Sequence, residues 1–316
     1  MSRTQRTLSE RLARKLLLAA QQSRFRGLGG YSPEAFTAKH CEDPFPQATR
    51  EGSLYHEFFA LFSPAFDAEA RLQGKVVLDF GCGYGGRTVE YARRGKAALV
   101  YGVEPLPRHT ELAQQYAASL DVANVEFRTC GETSVPLPDR SVDVVVSYDV
   151  LEHVTSPAAS IAELFRVLRP SGIALLVFPV YLGMRSHHLD YLTTLPGLHW
   201  LFSADTLVRA VNSILSEDTD LARFGTREQP PAGQSFDGRR SVLPMLNGLS
   251  GRHLRDLFQA FKVLSVRRHV VLRSKPGLRH LTGMGSGPWA PMWLRDALTD
   301  SVACVLQRPA EAPRQI

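Results

Sequence analysis

An acidic residue and three glycines lie close together in the sequence, at Asp79, Gly81, Gly83 and Gly85. They follow the apolar run Lys75–Phe80, which is typical of a buried strand, and they precede a stretch with helical periodicity. Glycines let the backbone turn tightly and approach a ligand closely. The first turn of the following helix would present free N–H groups to a carboxylate or phosphate. This strand–glycine–helix unit predicts a nucleotide-like ligand at the carboxyl end of a parallel sheet.

A second acidic residue, Glu104, ends the next apolar run, Leu99–Glu104, about twenty residues after the glycines. A carboxylate at that position can accept hydrogen bonds from the hydroxyl groups of a ribose. On spacing alone, the ligand could be NAD or S-adenosylmethionine (SAM), and the alternative is a plain tight turn that binds nothing.

The run Gly81-Cys82-Gly83-Tyr84-Gly85, with Asp79 before it, resembles the first motif of class I SAM-dependent methyltransferases, an acid and one residue before GxGxG. The resemblance implies that Asp79 lies near the amino and carboxylate end of SAM. It also implies that the glycine run passes under the amino-acid moiety and that Glu104 binds the ribose. The cofactor-binding residues that follow from this motif are Asp79, Gly81, Cys82, Gly83, Gly85, Glu104 and Pro105.

Later segments are similar to further motifs of the type 11 branch, the ubiquinone- and menaquinone-biosynthesis-like methyltransferases. The segment Gly131–Asp143 implies Glu132 near the adenine amino group and a backbone contact from Thr133. The segment Ser147–Val154 resembles the "LEHV" motif, and it adds Tyr148 and Asp149 to the cofactor site. The resemblance covers residues 74–180 continuously and 251–309 loosely, and it implies SAM as the cofactor.

Short apolar runs alternate with helical stretches, which predicts βαβ units and a parallel sheet covered on both faces. The expected α/β fold is doubly wound and Rossmann-like, with a mostly parallel seven-stranded sheet. A helical extension over 1–73 precedes the SAM-binding domain, 74–309, which carries an insertion over 180–250 after the fifth strand, and 310–316 form a tail. The predicted strands are Lys75–Phe80, Leu99–Glu104, Val125–Thr129, Val142–Ser147, Ile173–Phe178, Phe261–Leu272 and Ser301–Gln307.

Four histidines are candidates for a general base: His153, His187, His188 and His199, with His187 or His188 preferred. His153 belongs to the "LEHV" segment, where a purely structural role is the alternative. Together with Asp149 and Glu152 it could also supply metal ligands, as proposed for the ubiquinone-biosynthesis relatives, but the reading we adopt assigns no metal. The other three histidines follow the fifth strand, where neighbouring leucines and aromatics predict either an apolar wall around a small-molecule pocket or a packed cap with solvent-facing histidines.

Charge and cysteine content limit the remaining possibilities. Residues 1–30 hold seven of the 37 basic residues and one of the 31 acidic ones, so the rest of the chain is neutral and a nucleic-acid groove is not expected. Residues 4–24 are predicted to form an amphipathic helix, with Leu8, Leu12, Leu16 and Ala19 as its apolar face. Packing on the domain, membrane-surface binding and an organelle transit peptide are the three alternatives for it. Four cysteines without CxxC spacing and no apolar run of about 20 residues predict a reduced, cytoplasmic protein without a membrane span.

The sequence thus predicts a SAM-dependent methyltransferase that acts on a small molecule, at a hydroxyl oxygen. The alternatives are a methyltransferase for a lipid or quinone, docked by the basic first helix, a SAM-binding partner protein without catalysis, and an NAD dehydrogenase. The sequence does not indicate whether the protein is a monomer or an oligomer.

Overall fold

The computed structural model describes residues 7–27, 45–131, 133–184, 186–189, 192–193, 195–217, 230–270 and 291–310. No helix in these ranges is long and apolar enough to cross a membrane. The helices are α1 Leu8–Gly27, α2 Phe45–Ser53, α3 Tyr55–Ala60, α4 Gly86–Arg93, α5 Pro107–Ser119, α6 Pro157–Val167, α7 Leu198–Leu201, α8 Ala204–Glu217, α9 Leu254–Leu257 and α10 Met292–Ala297, with short 3₁₀ turns at Glu69–Leu72 and Gly251–His253. The strands are β1 Val76–Phe80, β2 Leu99–Glu104, β3 Val125–Thr129, β4 Val142–Tyr148, β5 Leu168–Phe178, β6 Gly233–Gln234, β7 Ser241–Val242, β8 Lys262–Val270 and β9 Thr299–Gln307.

Seven of the strands form one sheet in the order β3-β2-β1-β4-β5-β9-β8, which confirms the predicted mostly parallel sheet. The strands from β3 to β5 are parallel, and β9 runs antiparallel to both β5 and β8. The chain reverses its direction of winding at β1, which pairs with both β2 and β4. In open α/β sheets a ligand crevice lies at such a switch point, beyond the carboxyl ends of the strands.

The two faces of the sheet carry separate apolar layers. One layer packs side chains of β1 and β4, such as Val77 and Val144, against aromatic residues of α3 and α4. The other packs the alternate side chains, such as Leu78 and Val145, against α6 and α9. This burial on both faces explains why the strands are continuous Val- and Leu-rich runs. At the start of α6, the Ser156 hydroxyl accepts the Ala159 N–H, as expected for an N-cap.

The first helix packs on the fold, but of the four residues in the predicted apolar face only Leu16 packs against the apolar cluster. Leu8 and Leu12 are 84% and 51% exposed, whereas Ala13 and Leu17 are fully buried. These two residues pack against α8, and Glu10 forms an ion pair with Arg209 of that helix. The position of α8 decides which stripe of α1 is covered, because the leucines of α1 occur on more than one side of the helix.

The insertion contains α7, α8 and the small β6–β7 hairpin. Its leucines, among them Leu189, Leu192 and Leu198, join α1 and α8 in a third apolar cluster. Helices α1 and α8 bury these side chains, which favours the packed cap over the apolar wall of a ligand pocket.

Asn247, which is buried, ties the insertion to the loop after β4. Its Nδ2 donates to the carbonyl oxygens of Leu151 and Val154, at 2.6 and 2.8 Å, and its Oδ1 accepts the Leu249 N–H at 2.9 Å. Its own N–H donates to the Glu152 carbonyl at 2.9 Å. The loop after β4 therefore takes its position in part from a segment about a hundred residues later.

Candidate active site

A cavity of about 770 Å³ opens at the carboxyl ends of β1, β2 and β4, where the switch point predicts a ligand. One wall comes from α2, a second from the loops after β1 and β2, and a third from the loop after β4. The residues that line it are Gln47, Arg50, Glu51, Leu54, Phe80, Gly81, Gly83, Tyr84, Arg87, Glu104, Pro105, Leu106, His109, Cys130, Gly131, Tyr148, Asp149, Val150, His153, Val154, Thr155 and Met245.

The glycine loop forms the floor of the cavity. Gly81, Gly83 and Gly85 all have positive φ, at 81°, 54° and 79°, and Gly85 is the N-cap of α4. At Gly81 a Cβ would also overlap the side chain of Val150, so glycine is required there on two counts. Gly81 and Gly83 line the cavity, while Cys82 and Gly85 are buried beneath it.

Asp79 supports this loop from below. It is 3% exposed, does not line the cavity, and accepts a hydrogen bond from the Thr88 hydroxyl at 2.6 Å. Burial raises its pKa to about 6, and the Arg87 guanidinium opposes that rise. In this arrangement Asp79 acts on the shape and charge of the loop rather than presenting its carboxylate to the cavity.

Glu104 lies at the end of β2 and does face the cavity. Its Oε2 accepts the Gly83 N–H at 3.3 Å, and its Oε1 lies 3.6 Å from Nδ1 of His109. The His109 ring packs on Tyr84, with centroids 4.3 Å apart, and Pro105 lies beside it in the wall. A carboxylate in this place can accept hydrogen bonds from hydroxyl groups of a ligand, which is the chemistry that the sequence predicts for it.

The end of β3 contributes Cys130 and Gly131 to the cavity. Burial raises the pKa of the Cys130 thiol to about 11, so it stays protonated. Thr133 is exposed and does not line the cavity. Glu132 lies outside the described residues, and its role at the adenine end remains a prediction.

The loop after β4 supplies the opposite wall, which includes Tyr148 and Asp149. The Arg87 guanidinium stacks on the Tyr148 ring, 4.7 Å from its centroid, and so links this wall to α4. Asp149 has a φ of 56°, a left-handed conformation that turns the chain away from β4.

His153 lines the cavity at the end of this loop. Its Nδ1 lies 2.7 Å from the Met245 carbonyl oxygen, which fixes the proton of the neutral ring on Nδ1 and leaves a lone pair on Nε2. Nε2 lies 3.6 Å from Oε1 of Glu152, a residue only 3% exposed. Neither carboxylate oxygen of Glu152 accepts a hydrogen bond from another described residue, and burial raises its pKa.

His188 packs behind His153, with ring centroids 4.9 Å apart, and burial lowers its pKa to about 4. Ligand atoms of Glu152, His153 and His188 all lie within 4.8 Å of one another, so these three residues could hold a metal ion. The structure thus brings together two of the four predicted histidines, in a place where either a base or a metal ligand is useful, while His199 does not line the cavity.

His187 is placed differently. It is 2% exposed, its Nε2 lies 2.9 Å from the Leu195 carbonyl and its Nδ1 accepts the Leu189 N–H at 3.0 Å. Both ring nitrogens thus bond to backbone, and the residue does not line the cavity. The geometry gives His187 a structural role in the insertion, contrary to the expectation that it is a general base.

Sequence reasoning missed the contribution of the N-terminal extension. Four residues of α2 and its end line the cavity, in a stretch predicted only as part of the helical extension over 1–73: Gln47, Arg50, Glu51 and Leu54. Pro46 near the start of this stretch is a helix-start signal that could have revealed α2. Arg87, His109 and Met245 were also missed, because each reaches the cavity from a position outside the recognised motifs.

A sequence family described as a methyltransferase domain matches residues 78–176. This segment is a class I SAM-dependent methyltransferase domain. An uncharacterized methyltransferase of Mycobacteroides abscessus is 37% identical over 117 residues, which are 37% of this chain and 44% of the relative. A ubiquinone biosynthesis O-methyltransferase of Neisseria meningitidis serogroup C is 35% identical over 124 residues, 39% of this chain and 52% of the relative. The chain thus spans about half the length of the curated relatives it matches.

A SAM-dependent methyltransferase from Methanosarcina mazei aligns with 76% of this chain and 96% of its own length, at 18% identity and a TM-score of 0.45.

SAM is the cofactor of this domain family, and the cavity fits it chemically. Two glycines of the first motif line the cavity, Glu104 presents a carboxylate to it, and its volume lies within the range of about 300–1,000 Å³ that is typical of small-molecule sites. Gly81, Gly83, Glu104, Pro105, Tyr148 and Asp149 are the predicted cofactor residues that reach this cavity.

Proposed function

We propose that the protein transfers a methyl group from SAM to a hydroxyl oxygen of a small molecule. The observation that carries this proposal is that the glycine loop, Glu104 and His153 all line the same cavity. The glycine loop and Glu104 lie on one side of it, and His153 lies on the other, beside Tyr148 and Asp149. The name of the Neisseria relative, an O-methyltransferase, supports oxygen as the acceptor atom.

Bound SAM would supply an electrophilic methyl group on a sulfonium sulfur. Glu104 would hold the ribose hydroxyls, and the glycine loop would admit the amino-acid end close to the backbone. The apolar side chains Val150, Val154 and Met245 at the other side would receive the body of the acceptor and exclude water.

His153 would take the proton of the acceptor hydroxyl on Nε2. The Met245 carbonyl keeps Nδ1 protonated, so the lone pair needed for this step is on the nitrogen that lies near Glu152. If Glu152 is ionised before the step, its carboxylate, 3.6 Å from Nε2, would offset the positive charge of the imidazolium that forms. The pair can therefore hold the proton until the product leaves.

Isothermal titration with SAM, with S-adenosylhomocysteine and with NAD tests the cofactor. We expect micromolar binding of the first two and none of NAD. A folded sample that binds neither SAM nor its product would refute the proposal.

The base is tested by His153→Asn with any acceptor that the enzyme methylates. Loss of a general base lowers kcat by about 10²- to 10⁴-fold, and we expect the Kd for SAM to stay within about twofold. Because the proposed step needs no metal, chelation with EDTA should leave the wild-type rate unchanged. A rate that EDTA abolishes and zinc restores would assign Glu152, His153 and His188 to a metal site instead.

One observation favours a second candidate, a lipid or quinone acceptor. The exposed Leu8 and Leu12 on α1 alternate with the exposed Arg11 and Lys15, a composition suited to an anionic membrane surface. Sedimentation with vesicles of phosphatidylglycerol, compared with phosphatidylcholine, tests it. If this candidate is right, a Leu8→Ser, Leu12→Ser variant should no longer sediment with the phosphatidylglycerol vesicles. Wild-type protein that sediments with neither kind of vesicle would refute this candidate.

A further inference from the structure

Glu51 of α2 reaches the floor of the cofactor cavity from outside the methyltransferase domain. Its Oε2 accepts the Gly86 N–H at 3.3 Å and its Oε1 accepts the Tyr84 N–H at 3.5 Å. Oε1 also lies 3.0 Å from the point where a Cβ on Gly83 would be. The carboxylate therefore sits directly over the glycine loop, at the start of α4, and it lines the cavity.

A backbone contact between α2 and α4 brings Glu51 to this place. A Cβ on Gly86 would overlap the carbonyl oxygen of Ala48, and a Cβ on Gly52 would lie 3.1 Å from the carbonyl oxygen of Gly86. Gly86 lies outside the left-handed region of φ, so its backbone conformation does not require glycine. The close approach of α2 does require it, and this connects a glycine after the first motif with the N-terminal extension.

Among the acids that line the cavity, Glu51 contacts the backbone of the glycine loop at the start of α4, whereas Asp149 lies on the opposite wall. Asp79, which the motif assigns to the amino end of SAM, is buried below the loop and accepts a hydrogen bond from the Thr88 hydroxyl. Glu104 lies at the ribose side. The amino-acid end of SAM carries an ammonium group that needs an acceptor in the cavity itself.

We infer that Glu51 accepts a hydrogen bond from the ammonium group of SAM, so that the N-terminal extension completes the cofactor site. This inference rests on the proposed function. The two backbone N–H groups hold the carboxylate in position before the ligand arrives, which reduces the entropy lost on binding.

Binding is then linked to pH through Glu51. Burial raises the pKa of its carboxyl to about 7, the Arg87 guanidinium of α4 opposes this, and the Asp79 carboxylate of β1 adds to it. Cys82 of the loop faces Glu51 as a neutral thiol, because burial raises the pKa of that thiol well above its ordinary value. An ammonium ligand favours the ionised carboxylate, so binding releases a proton and affinity increases with pH up to about 7.

The test is isothermal titration of wild-type protein and Glu51→Gln with SAM at pH 6.0, 6.75 and 7.5, where the ligand ammonium stays largely protonated. A single carboxyl with a pKa of about 7 predicts an affinity gain of about eightfold across this range for wild type, in excess of any gain for Glu51→Gln. At pH 7.5 the variant should bind SAM at least about tenfold more weakly. Titration in two buffers with different ionisation enthalpies should show proton release by wild type that the variant lacks.

Two further variants separate a ligand contact from a folding defect. Glu51→Asp keeps the charge and should retain the proton release with weaker affinity, while Gly86→Ala should displace α2 and lower affinity without removing the acid. Glu111→Gln, an exposed acid on α5, is the matched control and should bind like wild type. Circular dichroism and thermal unfolding check that each variant is folded.

Glu51→Gln that binds SAM as tightly as wild type, or more tightly, would overturn the inference and leave the proposed function intact. Tighter binding would mean that the carboxylate only fills the site and must leave it. Wild-type protein that binds no SAM would overturn the proposed function itself.

Discussion

Replacing Asn247 by alanine is expected to loosen the loop that carries His153. The side chain makes three hydrogen bonds: two from Nδ2 to the carbonyls of Leu151 and Val154, and one from the Leu249 N–H to Oδ1. Each such bond contributes about 1 kcal/mol net, and each buried partner left unpaired adds to the loss. We therefore expect Asn247→Ala to lower the free energy of unfolding by about 3–4 kcal/mol.

The matched control is Asn124→Ala, which removes a single side-chain bond, from Nδ2 to the Ala97 carbonyl at 2.9 Å. It should cost about 1 kcal/mol. Urea denaturation followed by circular dichroism and by tryptophan fluorescence measures both losses, provided that the slope with denaturant is unchanged. Equal losses for the two variants would refute the reasoning that Asn247 joins the insertion to the loop after β4.

Three other predictions concern the cofactor site and its support. Glu104→Ala should weaken SAM binding by about 1.5–3 kcal/mol, measured by titration calorimetry, because a charged hydrogen-bond partner is lost; an unchanged Kd would contradict the ribose assignment. Gly81→Ala should lower thermal stability and SAM affinity together, since φ at 81° costs about 1–2 kcal/mol for alanine and its Cβ would overlap Val150. Against the effect of burial, the Val76 N–H and the Arg169 guanidinium hold the pKa of Asp143 below its ordinary 3.8. The stability advantage of wild type over Asp143→Asn is therefore full well above that pH and is lost as the pH falls below it. Urea titrations between pH 3 and 7 check this, and a pH-independent difference would count against it.

The central sheet could be predicted from the sequence because its strands are buried on both faces. β2 and β3 begin and end at the predicted residues, and β1 and β4 differ by one residue at one end. A continuous apolar run such as Val142–Tyr148 is typical of a strand that is covered on both faces of a sheet. The cofactor residues at the ends of these strands followed directly, because the order of the strands places their carboxyl ends together.

What the sequence did not reveal depends on contacts between distant segments. The buried stripe of α1 is chosen by α8, and the helical pattern alone allowed another choice. His187 and His188 are adjacent in sequence, yet the turn at His188, with a φ of 52°, sends one ring to backbone partners and the other to His153. Glu51 reaches the cavity only because Gly52 and Gly86, which are far apart in the chain, allow α2 and α4 to come into contact. No local sequence pattern predicts that contact.

The position of β9 has a consequence for synthesis of the protein on the ribosome. This strand lies in the interior of the sheet, between β5 and β8, although it is the last strand of the sheet along the chain. About 120 residues separate β5 from β9, which a ribosome adds in about 6–24 seconds. During that interval the apolar edge of β5 has no partner and can pair with other chains. We therefore expect nascent chains that stop before Thr299 to depend on chaperones and to aggregate when released, even though they already contain the whole methyltransferase domain segment.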